Sequence, residues 1–311
     1  MADREMRAVY AQTLVDLGAL DPRICVVEAD LARATGTGPF AKAYPERFVN
    51  VGVAEANLVG VASGLSATGK KPFAATFACF ASRRAYDQFF LSANYAGLNV
   101  TLVGTDPGVT AAFNGGTHMP LEDLALMRAV PGLAIVEPSD PVSLEAAVRI
   151  AAASDGCTYL RLQRKSAPEL YPAGEHFELG KAKLLRQGKD LLIVALGALM
   201  VSEAKKAAEL LAADGLEATV LDLFSLAPID RAAIVKYASA SGRVVSCENH
   251  RVTGGLGSAI AEILAEEGVR AKLRRVGVGA DQFGEVGTQD WLADHFKLSA
   301  PHIAAAAKSL F

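Results

Sequence analysis

Cysteine is scarce in this chain of 311 residues: Cys25, Cys79, Cys157 and Cys247 are the whole complement. They form no C-x-x-C pair and stand at no ligand spacing from a histidine, which excludes a zinc-finger type of site and a disulfide-built scaffold. Cys25, Cys79 and Cys247 sit in apolar, strand-like stretches. Buried, reduced thiols in a cytoplasmic protein are therefore expected. A basic excess is also missing. Lys and Arg total 31 against 34 Asp and Glu, the net charge is -3, and the cations form no long block. No nucleic acid is expected as a partner. No apolar run reaches the roughly 18 residues that a spanning helix needs, so no membrane partner is expected either. The opening MADREMRAVY carries early charges and no apolar segment, and is not expected to act as a signal peptide. Internal repeats and low-complexity tracts are absent, which excludes a solenoid.

What the chain has is hydrophobic residue, 51% of it, against 21% charged. Its length exceeds the roughly 250–300 residues at which single cores stop growing, so two domains are expected. Short apolar runs alternate with amphipathic stretches, the mark of α/β architecture. Strands are predicted at Ile24–Glu28, Phe48–Asn50, Lys71–Ala75, Val100–Gly104 and Leu133–Glu137. Helices are predicted at Met6–Leu17, Glu55–Thr68, Arg83–Ala96 and Leu121–Arg128. Another opens at Pro141, with Asp140 as its N-cap. Near residues 163–189 the periodicity fades around Pro168 and Pro172, which reads as a linker and edge segment between domains. Alternation then restarts: strands at Leu191–Leu196, Ala218–Asp222, Arg243–Cys247 and Lys272–Val276, helices at Ser202–Asp214, Arg231–Ser239 and Ala259–Glu266. The expected domains are 1–165 and 189–311, joined by a linker at 166–188.

Two glycine signals carry little chemistry. Gly254-Gly255-Leu256-Gly257 lacks dinucleotide-loop and P-loop spacing, and reads first as a tight strand-to-helix turn. Gly60 and Gly64 share one helix face, which suits close approach of another helix. Glu248 and His250 lie at a strand end before the glycine turn, where a structural role is expected.

Four segments read oddly for a plain scaffold. Glu28-Ala29-Asp30-Leu31 puts acids at the carboxyl end of a strand, where open α/β sheets bind ligands. In Asn50-Val51-Gly52-Val53-Ala54-Glu55, Glu55 interrupts a small, apolar stretch at a helix start. It is either a carboxyl whose pKa desolvation would raise or a glutamate meeting the helix dipole. Phe77 and Phe80 form one aromatic face directly after a strand, as core or as pocket wall. His118 stands in the glycine-rich loop Asn114-Gly115-Gly116-Thr117-His118-Met119-Pro120, ahead of a helix.

Together these segments resemble the transketolase group of thiamine-diphosphate enzymes. The motifs are Ala29–Leu31, VGVAEAN, Thr76–Phe80, Arg84–Gln88, Gly115–Asp123, Pro131–Leu133, Glu137–Asp140 and Gly254–Glu262, in order and nearly end to end. The resemblance implies two doubly wound α/β domains, a pyrimidine-binding one with a parallel sheet and a transketolase C-terminal one. It implies that Glu55 hydrogen-bonds N1′ of the thiamine aminopyrimidine. That favours the imino tautomer, which takes the proton from C2 of the thiazolium. Phe77 and Phe80 would pack on the pyrimidine. Asp30 would lie near the cofactor at a subunit interface. His118 would face the reacting oxygens. Arg7 and Arg164 would hold a sugar phosphate, with exposed arginines pairing helix ends as the alternative.

The chain departs from that family in four places. Asn114 stands for a usual aspartate that contacts a donor hydroxyl, and Asp106 for a phosphate-contacting histidine. Ala34 stands for a serine, and Arg83 for an aromatic in the pyrimidine pocket. An acid beside a substrate phosphate repels it by roughly 1–4 kcal/mol. A substrate other than the standard pentose and hexose phosphates is therefore expected. No Gly-Asp-Gly occurs, the motif that anchors diphosphate and Mg²⁺ in this family. Those ligands are expected from a partner, an N-terminal transketolase subunit, in an α2β2 assembly acting on sugars. The competing readings are the β-subunit of a 2-oxoacid dehydrogenase E1 component, a deoxyxylulose-phosphate type of synthase and a non-catalytic scaffold.

Overall fold

The structure, a computed structural model, describes residues 4–311; the first three residues of the expected first domain lie outside it. The chain forms two compact units, one of residues up to 107 with 126–178, the other of residues 108–125 with 179–311. The expected boundary near 165 takes no account of the loop 108–125, which folds with the second unit.

In the first unit, β1 (Arg4–Glu5) precedes six parallel strands: β2 (Ile24–Glu28), β3 (Phe48–Asn50), β4 (Lys71–Phe77), β5 (Thr101–Thr105), β6 (Ala134–Val136) and β7 (Thr158–Leu162). Their order is β6-β7-β5-β4-β2-β3. β2, β5 and β7 are buried along their whole length, as parallel strands covered on both faces are. From β2 the chain moves one way to β3, then crosses back to β4 on the other side. The carboxyl ends of β2 and β4 thus flank a topological switch point, the place where such sheets bind ligands.

β7 was not expected from the sequence. Its run Thr-Tyr-Leu-Arg-Leu is broken by Arg161, which is fully buried, and both carboxylate oxygens of Glu137 lie 2.9 Å from its Nη1. The stretch read as a linker continues as β8 (Ser166–Ala167), which pairs antiparallel with β1. Residues beyond it are tied down by Asp140: its Oδ2 accepts from Leu170 N (2.9 Å) and Tyr171 N (3.2 Å). Asp140 also caps the helix 141–153, accepting from Ser143 N at 2.7 Å, as expected.

The helix expected over 83–96 is interrupted. One helix ends at Arg83, the chain turns at 84–85, and Phe89–Tyr95 winds as a π-helix. The helix expected over Glu55–Thr68 forms as Glu55–Ala67, but, the helix's own nearby backbone aside, no atom of the described residues comes within 4 Å of a Cβ placed on Gly60 or Gly64. That small-residue face stays open.

The second unit has its own sheet. β9 (Lys183–Arg186) is antiparallel to β11 (Ala218–Asp222), which is parallel to β10 (Leu191–Leu196). A short β12 (Ser225–Ala227) follows in the chain, and β13 (Arg243–Arg251) and β14 (Lys272–Val278) extend the sheet on the other side of β10. The closing helices Gln289–His295 and Ala300–Lys308 were not expected from the sequence. All four cysteines are buried and unpaired, Cys157 included. Burial pushes the Cys79 thiol up to about 12 and that of Cys25 to about 11, so neither is a thiolate near neutrality. No helix among the described residues is long and apolar enough to cross a membrane.

Candidate active site

Each candidate residue of the first unit lies at, or a few residues beyond, the carboxyl end of a parallel strand, except Arg7, which lies in the first turn of the helix Met6–Leu20 that follows β1. Glu55 opens its helix five residues after β3, with a side chain 5% exposed. Arg84 Nη1 donates to both its carboxylate oxygens, at 3.2 and 3.4 Å. The Arg84 guanidinium also lies over the Phe80 ring, 4.3 Å from its centroid, and the Phe80 and Phe77 rings stand 6.0 Å apart. Arg164 then lies 5.5 Å from the Phe77 centroid. One chain of contacts therefore joins the carboxylate, the two rings and a second arginine.

Arg84 is the residue that sequence reading missed. It sits inside the Arg-Ala-Tyr-Asp-Gln motif, but attention fell on Arg83. Arg83 is exposed at the end of its helix, and Arg84, at the turn that follows, bonds Glu55. Asp30 adopts φ +60, a conformation that aspartate tolerates. Its N–H donates to Asn50 Oδ1 (3.0 Å), Asn50 Nδ2 donates to its Oδ1 (3.3 Å), and Gly52 N shares the Asn50 oxygen. That clasp fixes the start of the segment leading to Glu55.

Asp106 and Arg164 are partners. Arg164 Nε donates to Asp106 Oδ1 at 2.7 Å, and Asp106 is nearly inaccessible. Desolvation raises the Asp106 pKa, against the pull of Arg164, Lys165 and Arg7. Arg7 joins the group through the backbone, its N–H donating to Arg164 O at 3.1 Å. Its guanidinium binds Glu5 Oε1 and reaches the carbonyls of Arg33 and Ala34, each at 3.4 Å.

Glu28, two residues before Asp30, is fully buried. Thr35 Oγ1 (2.6 Å) and Thr37 Oγ1 (2.7 Å) donate to its Oε1, while its Oε2 has no partner. These bonds pin the loop that carries Asp30 to the core. Desolvation drives its pKa from 4.5 up to about 7, despite both hydroxyls. The folded value lies above the unfolded one, so the native state holds the extra proton between about pH 4.5 and 7. Stability should fall as pH rises through that window, by about 3 kcal/mol, and level off above it. Glu28→Gln should lack this component. Denaturant unfolding at pH 5 and pH 8 checks it: equal pH dependence in wild type and variant would refute the assignment.

Asn114 and His118 belong to the second unit and are described within it. Their loop is anchored by Asn249, whose Oδ1 accepts from Val109 N at 2.9 Å. Gly116 lies so close to Gly284 that a Cβ would meet its carbonyl oxygen. His118 Nδ1 stands 2.9 Å from Thr117 Oγ1, and Asn114 is exposed. Glu248, fully buried, accepts from Leu256 N (2.6 Å) and Gly257 N (3.0 Å). A carboxylate of the chain itself thus fills this helix N-terminus, and a Cβ on Gly255 would collide with it. The glycine run is the tight turn it was read as.

Whether these residues suit an aminopyrimidine can be judged from the donor set. A buried carboxylate and two tilted phenyl rings, linked through Arg84, fit a flat ring with polar edges. For a metal-bound diphosphate the outcome differs: among the described residues, no three His, Cys, Asp or Glu are grouped to hold a metal ion.

Residues 2–169 match the pyrimidine-binding domain of transketolase, and residues 180–303 match the transketolase C-terminal domain. The 6-deoxy-6-sulfo-D-fructose transketolase subunit of Clostridium sp. (strain MSTE9) is 48% identical over 302 residues, 97% of this chain and 93% of that protein. A putative transketolase C-terminal section from Methanocaldococcus jannaschii is 40% identical over 96% of this chain and 94% of its own length. Among solved structures, a split-gene transketolase described as an inactive β4 tetramer superposes with a TM-score of 0.91 at 44% identity, covering 98% of both chains.

Proposed function

This chain belongs to the transketolase family, and on that premise we propose that it is one subunit of a split transketolase. It would transfer a two-carbon ketol unit from a ketose donor to an aldose acceptor. The observation that carries this reading is Glu55, buried just after a parallel strand and bonded by Arg84, whose guanidinium lies over Phe80 with Phe77 beyond it.

Thiamine diphosphate would supply the nucleophilic carbon and the electron sink for the cleaved C–C bond. This chain's residues do the rest. Glu55 holds a proton at N1′ of the pyrimidine. Phe77 and Phe80 wall the ring and exclude water. Arg84 fixes the Glu55 carboxylate through two charge-assisted hydrogen bonds. Asp30, clasped by Asn50, borders the cofactor. Arg7 and Arg164 would take the far end of the donor; for Asn114 and His118 the family resemblance alone implies contact with its hydroxyl and carbonyl oxygens. The Mg²⁺ and diphosphate ligands belong to an N-terminal partner subunit, and an α2β2 tetramer is the expected assembly. The lack of a Gly-Asp-Gly segment supports that division, as does the open glycine face of the helix that begins at Glu55. The donor of the Clostridium relative ends in a sulfonate, which makes sulfo-ketoses the first donors to try.

The test is reconstitution. This chain and a diphosphate-binding subunit, mixed with thiamine diphosphate and Mg²⁺, should transfer ketol units, and neither should do so alone. Activity of this chain alone, or pyruvate decarboxylation by the pair with no ketol transfer, would overturn the proposal.

A further inference from the structure

We propose that Asp106 sets the charge of the site's anion pocket and so selects a donor ending in a monoanion, such as a sulfonate, over one ending in a phosphate dianion. This rests on the ketol-transfer reading above. Asp106 lies behind Arg164: the side chains are 2% and 21% exposed, and the carboxylate takes the Nε edge of the guanidinium at 2.7 Å. A substrate is left the Nη1 and Nη2 edge, enough for one forked contact. The cations within electrostatic reach of Asp106 are Arg164, Lys165 and Arg7. Arg7 is itself paired with Glu5 at 2.7 Å. Three cations facing two carboxylates leave a single net positive charge.

A sulfonate carries one negative charge at any pH near neutrality, and a phosphate monoester about 1.5 to 2. The added charge of the phosphate meets a buried carboxylate, so water screens the repulsion only in part. With a histidine at position 106, as the family resemblance implies for ordinary transketolases, that repulsion vanishes. One extra charge several ångströms away across a partly screened site is worth on the order of tenfold in selectivity.

The probes are 6-deoxy-6-sulfofructose and fructose 6-phosphate, which differ only at the terminal group, with L-erythrulose as an uncharged donor. In the reconstituted pair, kcat/KM should favour the sulfonate by about tenfold or more, with the difference mainly in KM. Asp106→Asn keeps an oxygen that can accept from Arg164 and removes only the charge. It should shift the ratio about tenfold toward phosphate, and Asp106→His should shift it the same way. Wild-type inhibition by methanesulfonate over inorganic phosphate gives the same comparison without a variant. If L-erythrulose is turned over but wild type prefers phosphate, or if neither substitution moves the ratio, this inference falls alone. If L-erythrulose is inert, the ketol-transfer reading falls and takes this one with it.

Discussion

Glu55→Gln in the reconstituted pair should lower kcat for ketol transfer by about a thousandfold, while the chain stays folded and still binds thiamine diphosphate. The substitution preserves volume and leaves an amide oxygen to accept from Arg84, so the surroundings need not repack. What is lost is a carboxylate able to hold and return a proton at a ring nitrogen, the function that general acid–base catalysis values at roughly 10²- to 10⁴-fold. On the proposed reading Glu55 would touch one end of a large cofactor whose charged end is held by the partner subunit, so affinity should fall by about tenfold at most. The scaffold alternative makes the opposite forecast, with kcat unchanged. Steady-state rates with an uncharged ketose, alongside a cofactor titration, separate the two. A variant within threefold of wild type would remove Glu55 from the chemistry.

Much of the first unit was legible because its strands are short apolar runs with polar punctuation. Ile24–Glu28 and Phe48–Asn50 were placed to the residue, and Lys71–Phe77 runs only two further than expected. The failures have specific physical causes. The Thr158–Leu162 strand hides because Arg161 breaks its apolar run, and a lone charge gives no sign that its counterion, Glu137, sits 24 residues upstream. Arg84 stood only as the first residue of the Arg84–Gln88 motif, and its bond to Glu55, 29 residues upstream, is made only in the fold. The prolines after residue 163 suggested a linker and edge segment but not its anchor, a carboxylate oxygen of Asp140 that holds the stretch by its backbone.

The site was legible as a set of motifs, less so as a set of pairs. Sequence alone gave Asp106 as an acid that would repel a phosphate. It could not give the ion pair with Arg164, because the two are 58 residues apart and meet only where β5 and β7 lie side by side. The pairing changes the meaning of the substitution. Asp106 is no stray repulsive charge but the counterion of Arg164, the arginine proposed to bind substrate.

That arginine depends in turn on the buried pair one strand-end away. Glu137→Ala should destabilise the protein by about 3–5 kcal/mol, since it removes the carboxylate from a guanidinium that has no access to water. Val136 pairs with Leu160 in the parallel register, so Glu137 and Arg161 are the next positions along. Replacing both, as Glu137→Leu with Arg161→Met, should recover most of the loss, because apolar side chains of similar volume need no counterion there. Denaturant unfolding of the three proteins decides it. A single variant within 1 kcal/mol of wild type, or a double variant as unstable as the single, would mean the pair does not hold β7. Arg164 follows Arg161 by three residues, just past the end of β7. If the pair does hold that strand, Glu137→Ala should therefore cost more kcat/KM with a charged donor than with L-erythrulose, by about fivefold or more, through the loosened anchor of Arg164.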